Sequence, residues 1–194
     1  MKILVTGANG FVAKNLIQFL AEKPEVEVLK LYRDSTAQEL EQMVLDADWI
    51  VHLAGVNRPK HDAEFIEGNV SLTESICEIL RQNQKQTPII LSSSIQAERD
   101  NVYGKSKLGG EQALNKLNEL NGNPIYISRM VNIFGKWSKP NYNSAVATFC
   151  YNIANDLPIQ INDENAVIRL VYIDDVRLAI LFYFISIFLF YLLT

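Results

Sequence analysis

The sequence predicts an α/β fold, a doubly wound parallel sheet with helices on both faces. Three observations predict it. Short apolar runs lack the in-out alternation of a half-exposed strand, helical stretches of 12–20 residues lie between them, and glycines stand where a run gives way to a helix. Lys2-Ile3-Leu4-Val5-Thr6 is the first strand, stopped by Gly7. Residues 11–22 place Phe11, Val12, Leu16, Phe19 and Leu20 on one helical stripe, and Pro24 ends it. Val26 to Tyr32 is a second strand, and residues 36–47 form a helix with Leu40, Met43, Val44 and Ala47 on one face. Trp49 to Ala54 is a third strand closed by Gly55. Residues 63–82 are expected as a helix, 88–91 as a strand, 103–120 as a helix, 125–130 as a strand and 145–155 as a helix. The segment 132–145 is the longest without periodicity and is a candidate functional loop.

Composition narrows the function classes. The 194 residues hold 18 Lys+Arg against 22 Asp+Glu, a net charge of −4, with 48% hydrophobic and 21% charged residues. That is a globular balance and excludes general disorder. The acidic excess and the lack of a basic cluster argue against a nucleic-acid face. Cys77 and Cys150 stand alone, which excludes a disulfide scaffold and points to a reducing compartment. Met1-Lys2 leads into a four-residue apolar stretch rather than a signal peptide, so a cytoplasmic location is expected.

Thr6-Gly7-Ala8-Asn9-Gly10-Phe11-Val12-Ala13 joins the first strand to the first helix. In this GxxGxxA pattern Gly7 serves a tight turn and Gly10 lets the backbone approach a pyrophosphate. The helix N-terminus then offers N–H groups and the positive end of its dipole. With a strand before it and a helix after it, the loop marks a Rossmann-type dinucleotide fold. A ribose-reading residue belongs at the end of the second strand, where the sequence has Tyr32-Arg33-Asp34. Arg33 on a 2′-phosphate favours NADPH; Asp34 keeps NADH as the alternative.

Tyr103 and Lys107 stand four apart at a helix start, on one face. A phenol titrates near 10, and an ammonium close by is expected to lower that value toward working range. Leu91-Ser92-Ser93-Ser94 ends a strand at the carboxyl edge of the sheet, where a serine hydroxyl can polarise a substrate carbonyl.

TGANGFVA, VHLAG, GNV, LSSS, YGKSK and YIDD, in this order and spacing, make residues 1–177 resemble an extended short-chain dehydrogenase/reductase. HLAGVNRPKHDAEF, GNVSLTESI, LSSSIQAERDNVYGKSKLGGEQ and FGKWSKPNYNSAVATFCYNIAN are similar, more narrowly, to bacterial capsular-polysaccharide enzymes of the UDP-N-acetyl-L-fucosamine route. The resemblance implies NADPH-dependent reduction of a UDP-2-acetamido-2,6-dideoxy-4-hexulose. It implies Ser94 as catalytic serine with Ser93 as fallback, Tyr103 as general acid to the C4 oxygen, Lys107 as its activator and ribose anchor, and Asn69 as the relay asparagine. Thr6, Gly7, Asn9, Gly10, Phe11, Val12, Arg33, Leu53, Ala54, Gly55, Tyr103 and Lys107 would hold the cofactor. Asn132 would meet the nucleotide sugar, with Lys136 and Lys139 either on the diphosphate or simply solvated, and Arg169 a weaker diphosphate candidate. A UDP-sugar partner and, for the full-length family, a homodimer are implied; no metal site is expected.

Two departures sharpen this reading. Only 14 residues separate Arg33 from Asp48, room for one helix and not for the extra strand and adenine-contacting Asp of many extended members. The dehydratase branch carries an Asp-Glu pair after the serine, whereas this chain has Ile95-Gln96-Ala97-Glu98, which favours reduction or epimerisation. His52 and His61 lack ligand spacing and are expected to be structural or solvent-facing; Cys77 and Cys150 are expected as core residues of their helices.

Extended members run longer, so the C-terminal substrate lobe is largely missing here. The match fades at Asp174-Asp175-Val176-Arg177, and residues 178–194 hold no charge, with only Ser186 and Thr194 not apolar. The expectation is residues 1–177 as an NAD(P)-binding domain with the start of a substrate lobe, and 178–194 as an apolar tail. A frameshift or truncation product is the first reading of that tail. A membrane anchor at the short limit of a span, or a buried helix or dimer contact, are the others. The functional expectation is the reductase, impaired by truncation. The alternatives are an epimerase of the same fold or an inactive cofactor-binding or membrane-associated fragment.

Overall fold

A computed structural model describes the chain except residues 58, 60, 62 and 194; for residues 63 and 185–193 the description stops at the backbone. It divides into two compact units, Met1–Met130 and Val131–Thr194.

The first unit runs β1 (Lys2–Thr6), α1 (Phe11–Leu20), β2 (Glu27–Leu31), α2 (Ala37–Asp46), β3 (Trp49–His52) and α3 (Ala63–Ile66). A π-helical turn at Glu67–Ser71 then leads into α4 (Leu72–Gln82), β4 (Ile89–Ser94), a 3-10 turn (Ile95–Glu98), α5 (Val102–Asn121) and β5 (Ile125–Met130). The five strands are all parallel, in the order β2-β1-β3-β4-β5. From β1 the chain winds outward through α1 to β2, then back through α2 to β3. Right-handed crossovers in opposite directions put α1 and α2 on opposite faces. The winding reverses between β1 and β3, and ligands bind in such folds beyond the carboxyl ends of strands at that point.

The core follows from period two. Leu4, Ile50, Ile89 and Leu91 point to one face and pack with Val44 of α2, Ile76 and Leu80 of α4, and Leu114 and Leu117 of α5. The alternate residues Ile3, Val5, Val51 and Ile90 are buried on the other face. Burial on both faces is why these strands read as unbroken apolar runs. Local signals set the helix ends. Thr36 and Glu39 form a capping box on α2, with Glu39 N donating to Thr36 Oγ1 at 3.2 Å and Thr36 N to Glu39 Oε2 at 2.7 Å. Asn101 Oδ1 accepts from Gly104 N at 2.7 Å and starts α5 one residue before Tyr103.

The second unit holds β6 (Asn132–Phe134), α6 (Ala145–Ala154), β7 (Leu170–Tyr172) and α7 (Ile173–Leu193), with β6 and β7 a parallel pair. The aperiodic stretch 132–145 therefore opens with a strand, whose partner lies 38 residues further along the chain. Cys77 is half-buried against the core as expected, but Cys150 is exposed: α6 buries none of its residues. No helix among the described residues is long and apolar enough to cross a membrane. The side chains of 185–194, most of the apolar tail, lie outside the description.

Candidate cofactor and catalytic site

Beyond the carboxyl ends of β1 and β3 lies a groove of about 530 Å³, lined by Gly7, Asn9 and Gly10, by Leu53, Ala54 and Gly55, and by Tyr32, Arg33, Ser35 and Thr36 among others. The switch point, the glycine loop and the end of β2 thus open on one space. Gly7 has φ +66, and a Cβ there would come within 2.7 Å of Ala54 Cα. A Cβ at Gly10 would meet Gly7 O at 3.0 Å, a tighter approach than side chains normally make. Gly10 is also the N-cap of α1, with no side-chain cap and no acid in the first turn. By contrast, α2, α5 and α6 are capped by Thr36, Asn101 and Ser144. The leading N–H groups of α1, those of Phe11 and Val12 among them, have no intrahelical acceptor and face no competing carboxylate of their own turn. The residues present fit a dinucleotide diphosphate. Thr6, Phe11, Val12, Tyr103 and Lys107 do not line the groove themselves; Thr6 is buried at the end of β1.

The catalytic candidates meet at the ends of β4 and α5. The Ser94 hydroxyl accepts from Gln96 N at 3.2 Å and is hydrogen-bonded to the Tyr103 phenol. The Ser93 hydroxyl is engaged elsewhere, donating to Glu111 Oε1 at 2.5 Å, so Ser94 and not the fallback faces the tyrosine. Tyr103 also packs on Phe65, ring centroids 5.5 Å apart. Lys107 Nζ donates to Ser92 O at 2.7 Å. A Cβ at Gly55 would lie 3.6 Å from Lys107 Nζ and 2.7 Å from Asn69 Oδ1, so the lysine and the asparagine abut the groove at its Gly55 wall.

The protonation balance differs from the sequence expectation. Burial raises the Tyr103 phenol above its ordinary value, and the Ser94 hydrogen bond pulls only partly the other way. The Lys107 ammonium is itself desolvated: burial brings it down to about 8, with the charge of Glu111 opposing. Glu111 would be raised by burial. Hydrogen bonds from Arg129 and Ser93, with the charges of Arg129 and Lys107, outweigh this and hold it below the usual carboxylate range. Arg129 reaches Glu111 Oε2 at 2.7 Å and Glu98 Oε1 at 2.7 Å.

Asn69 sits in the π-helical turn, a geometry frequent at functional sites. Its Oδ1 accepts from Val56 N at 2.9 Å, and its Nδ2 donates to Val56 O at 3.1 Å and to Ser106 Oγ at 3.0 Å. Ser106 Oγ in turn donates to Tyr103 O at 2.7 Å. Both donors of the asparagine amide and its Oδ1 hold the Val56 peptide against the tyrosine's turn, which is a positioning task. His52, of the two expected roles, is structural: it is buried between Thr6 Oγ1 at 2.7 Å and Thr73 Oγ1 at 2.9 Å. His61 is exposed. Sequence reasoning missed Ser106, Thr73, Glu111 and Arg129; a local trace was Glu111, four residues after Lys107 and on the same face of α5.

The remaining candidates belong to the second unit. Asn132 Nδ2 donates to Arg169 O at 3.3 Å across the β6–β7 pair. Lys136 pairs with Asp174 at 3.6 Å, and Lys139 Nζ lies 5.7 Å from the centre of the Tyr142 ring. No group of three or more His, Cys, Asp or Glu side chains that could hold a metal occurs among the described residues.

A glycine-cradled groove at the switch point of a parallel sheet, with Lys107 behind its Gly55 wall and the Ser94–Tyr103 pair at the ends of β4 and α5, has the layout of a nicotinamide-dinucleotide-dependent protein. The chain belongs to the NAD dependent epimerase/dehydratase family, whose model matches residues 3–186. It is 55% identical over 176 residues to UDP-2-acetamido-2,6-beta-L-arabino-hexul-4-ose reductase of Pseudomonas aeruginosa, covering 91% of this chain and 47% of that protein. The crystal structure of capsular polysaccharide assembling protein CapF from Staphylococcus aureus superposes with a TM-score of 0.82 at 52% identity, covering 93% of this chain and 49% of that one. UDP-glucuronic acid 4-epimerase from Bacillus cereus, solved with NAD, shares the fold at a TM-score of 0.80 and 22% identity, covering 91% of this chain and 72% of that one. The chain spans about half the length of the first two relatives.

Proposed function

We propose that the chain carries the cofactor-binding and proton-donating half of an NADPH-dependent reductase. Its substrate class is a UDP-2-acetamido-2,6-dideoxy-4-hexulose, in capsular nucleotide-sugar synthesis. The observation that carries the reading is the 55% identity to a reductase of that specificity across the residues that form the groove and the Ser94–Tyr103 pair. When bound, the reduced nicotinamide supplies a hydride to C4 of the ketosugar. Tyr103 gives its phenolic proton to the developing C4 oxyanion, and Ser94 donates a hydrogen bond to that oxygen. The raised phenol pKa suits this direction: Tyr103 is protonated before the step, as an acid must be. Lys107, behind the Gly55 wall, anchors the ribose hydroxyls. Arg33, on the rim of the groove beyond β2, takes the 2′-phosphate and sets NADPH over NADH. Asn132, Lys136, Lys139 and Arg169 serve the nucleotide sugar. Two free cysteines accord with a reducing, cytoplasmic location.

The test is net oxidation of NADPH by the chain with the UDP-4-keto sugar. One cofactor consumed per sugar reduced supports the reading, with turnover weak relative to cofactor binding. Tyr103→Phe should lower turnover by roughly 10²-fold or more while leaving NADPH affinity unchanged. Tightly retained NAD, with sugar isomerised and no net cofactor consumed, would replace the reductase by an epimerase.

A further inference from the structure

The loop 53–56 forms the groove wall opposite the glycine turn, and it is gripped at two places by groups that meet on one buried histidine. Thr6 Oγ1 accepts from Leu53 N at 3.1 Å and from Ala54 N at 3.0 Å. A threonine hydroxyl has two acceptor positions and one proton. With both acceptor positions used, its proton goes to His52 Nδ1, 2.7 Å away. The imidazole therefore carries its own proton on Nε2, which donates to Thr73 Oγ1 at 2.9 Å. Thr73 Oγ1 donates onward to Asn69 O at 3.0 Å, and the Asn69 side chain clasps Val56 on both its N–H and its carbonyl. Every donor direction along this chain follows from the one before. Thr6 and Thr73 are both fully buried, so neither hydroxyl has water as a substitute partner.

We propose that His52, as the Nε2–H tautomer bridging Thr6 and Thr73, is a positioning residue that fixes loop 53–56 from both sides in the shape the cofactor needs. The cofactor clause rests on the dinucleotide reading of the groove; the relay itself does not. An apolar side chain of similar size would fill the space but leave one hydroxyl proton and one hydroxyl acceptor stranded, releasing the Leu53–Ala54 and Val56 anchors together. A purely space-filling histidine would show no such link between the two ends.

The experiment combines imidazole 15N–1H correlation spectra, amide hydrogen exchange and NADPH titration on the full chain, with His52→Leu, Thr6→Val, Thr6→Ser and the Thr6→Val/His52→Leu double variant. The expected spectrum has His52 Nδ1 unprotonated and Nε2 protonated. His52→Leu and Thr6→Val should each speed exchange at Leu53 and Ala54 by about tenfold. His52→Leu should do the same at Val56, while amides of β4 keep wild-type rates. The double variant should be no worse than the worse single one, the mark of a shared path. Thr6→Ser, which keeps the hydroxyl, should retain wild-type exchange. NADPH affinity should fall about tenfold wherever the loop loosens. A proton on Nδ1, additive effects in the double variant, or a loosened loop that binds NADPH as tightly as wild type would each overturn the proposal. If the wild-type chain binds neither NADPH nor NADH, the dinucleotide reading fails, and tautomer and exchange still decide the relay.

Discussion

The two units of this chain differ in how much apolar surface their described residues bury. In residues 1–130 the inner strands β1 and β3 are sealed: Ile3, Leu4, Val5, Ile50 and Val51 are fully buried, and the Thr6 and His52 side chains beside them are bonded to each other, with Thr6 also holding the groove wall. In residues 131–194, α6 buries nothing, and Val167 is 91% exposed beside a three-residue parallel pair. Parallel strands are ordinarily covered on both faces. The first unit therefore defines its chemistry at the level of atoms, whereas the candidate sugar-binding residues stand on a unit whose described apolar residues are buried only at Ile173, Val176 and Ile180 of α7.

The largest effect expected to separate the units is acid sensitivity. Burial, then the charge of Lys107, lowers His52 from 6.5 to about 3. Between those values the unfolded chain binds a proton that the folded chain refuses, so stability is full above about 6.5 and falls as pH drops toward 3. The loss amounts to roughly 4–5 kcal/mol at the acid end. Denaturant melts of wild type and His52→Gln across this window check it; parallel curves would mean His52 is charged in the fold. Next comes the core itself. Leu4→Ala should cost about 2–5 kcal/mol in the same melts. Arg33→Asp should weaken NADPH about tenfold and leave NADH nearly unchanged in a binding titration; an unaltered preference would remove Arg33 from the ribose site. The smallest effect belongs to the second unit. Val167→Ala should shift stability by less than about 0.5 kcal/mol, and a cost like that of Leu4→Ala would erase the contrast.

What was legible in the sequence was what is local. The run Lys2–Thr6, the glycine turn, Pro24 beyond α1 and the four-residue step from Tyr103 to Lys107 each state their structure within a few residues. The π-helical turn was not legible, because a switch of backbone register inside residues 63–82 leaves the apolar pattern unbroken. The Tyr103 pKa ran opposite to expectation because desolvation is a tertiary quantity: the same fold that brings Lys107 near also buries the phenol. Glu111 and Arg129 are 18 residues apart, and their pairing depends on β5 lying beside β4. Cys150 read as core from an apolar helix, but apolar composition gives burial only where another element covers it. The roles of Asn69 and His52 were half visible: their identities were noted, while the partners that define them come from β1, α4 and α5.

Fluorescence titration of the purified chain with NADPH and NADH decides whether the groove between the ends of β1 and β3 is a nicotinamide-dinucleotide site. Saturable binding of both is expected, tighter for NADPH, and abolished by Gly7→Val, whose side chain would be forced against Ala54 at φ +66. Absence of binding by either nucleotide, with the chain folded, would contradict it.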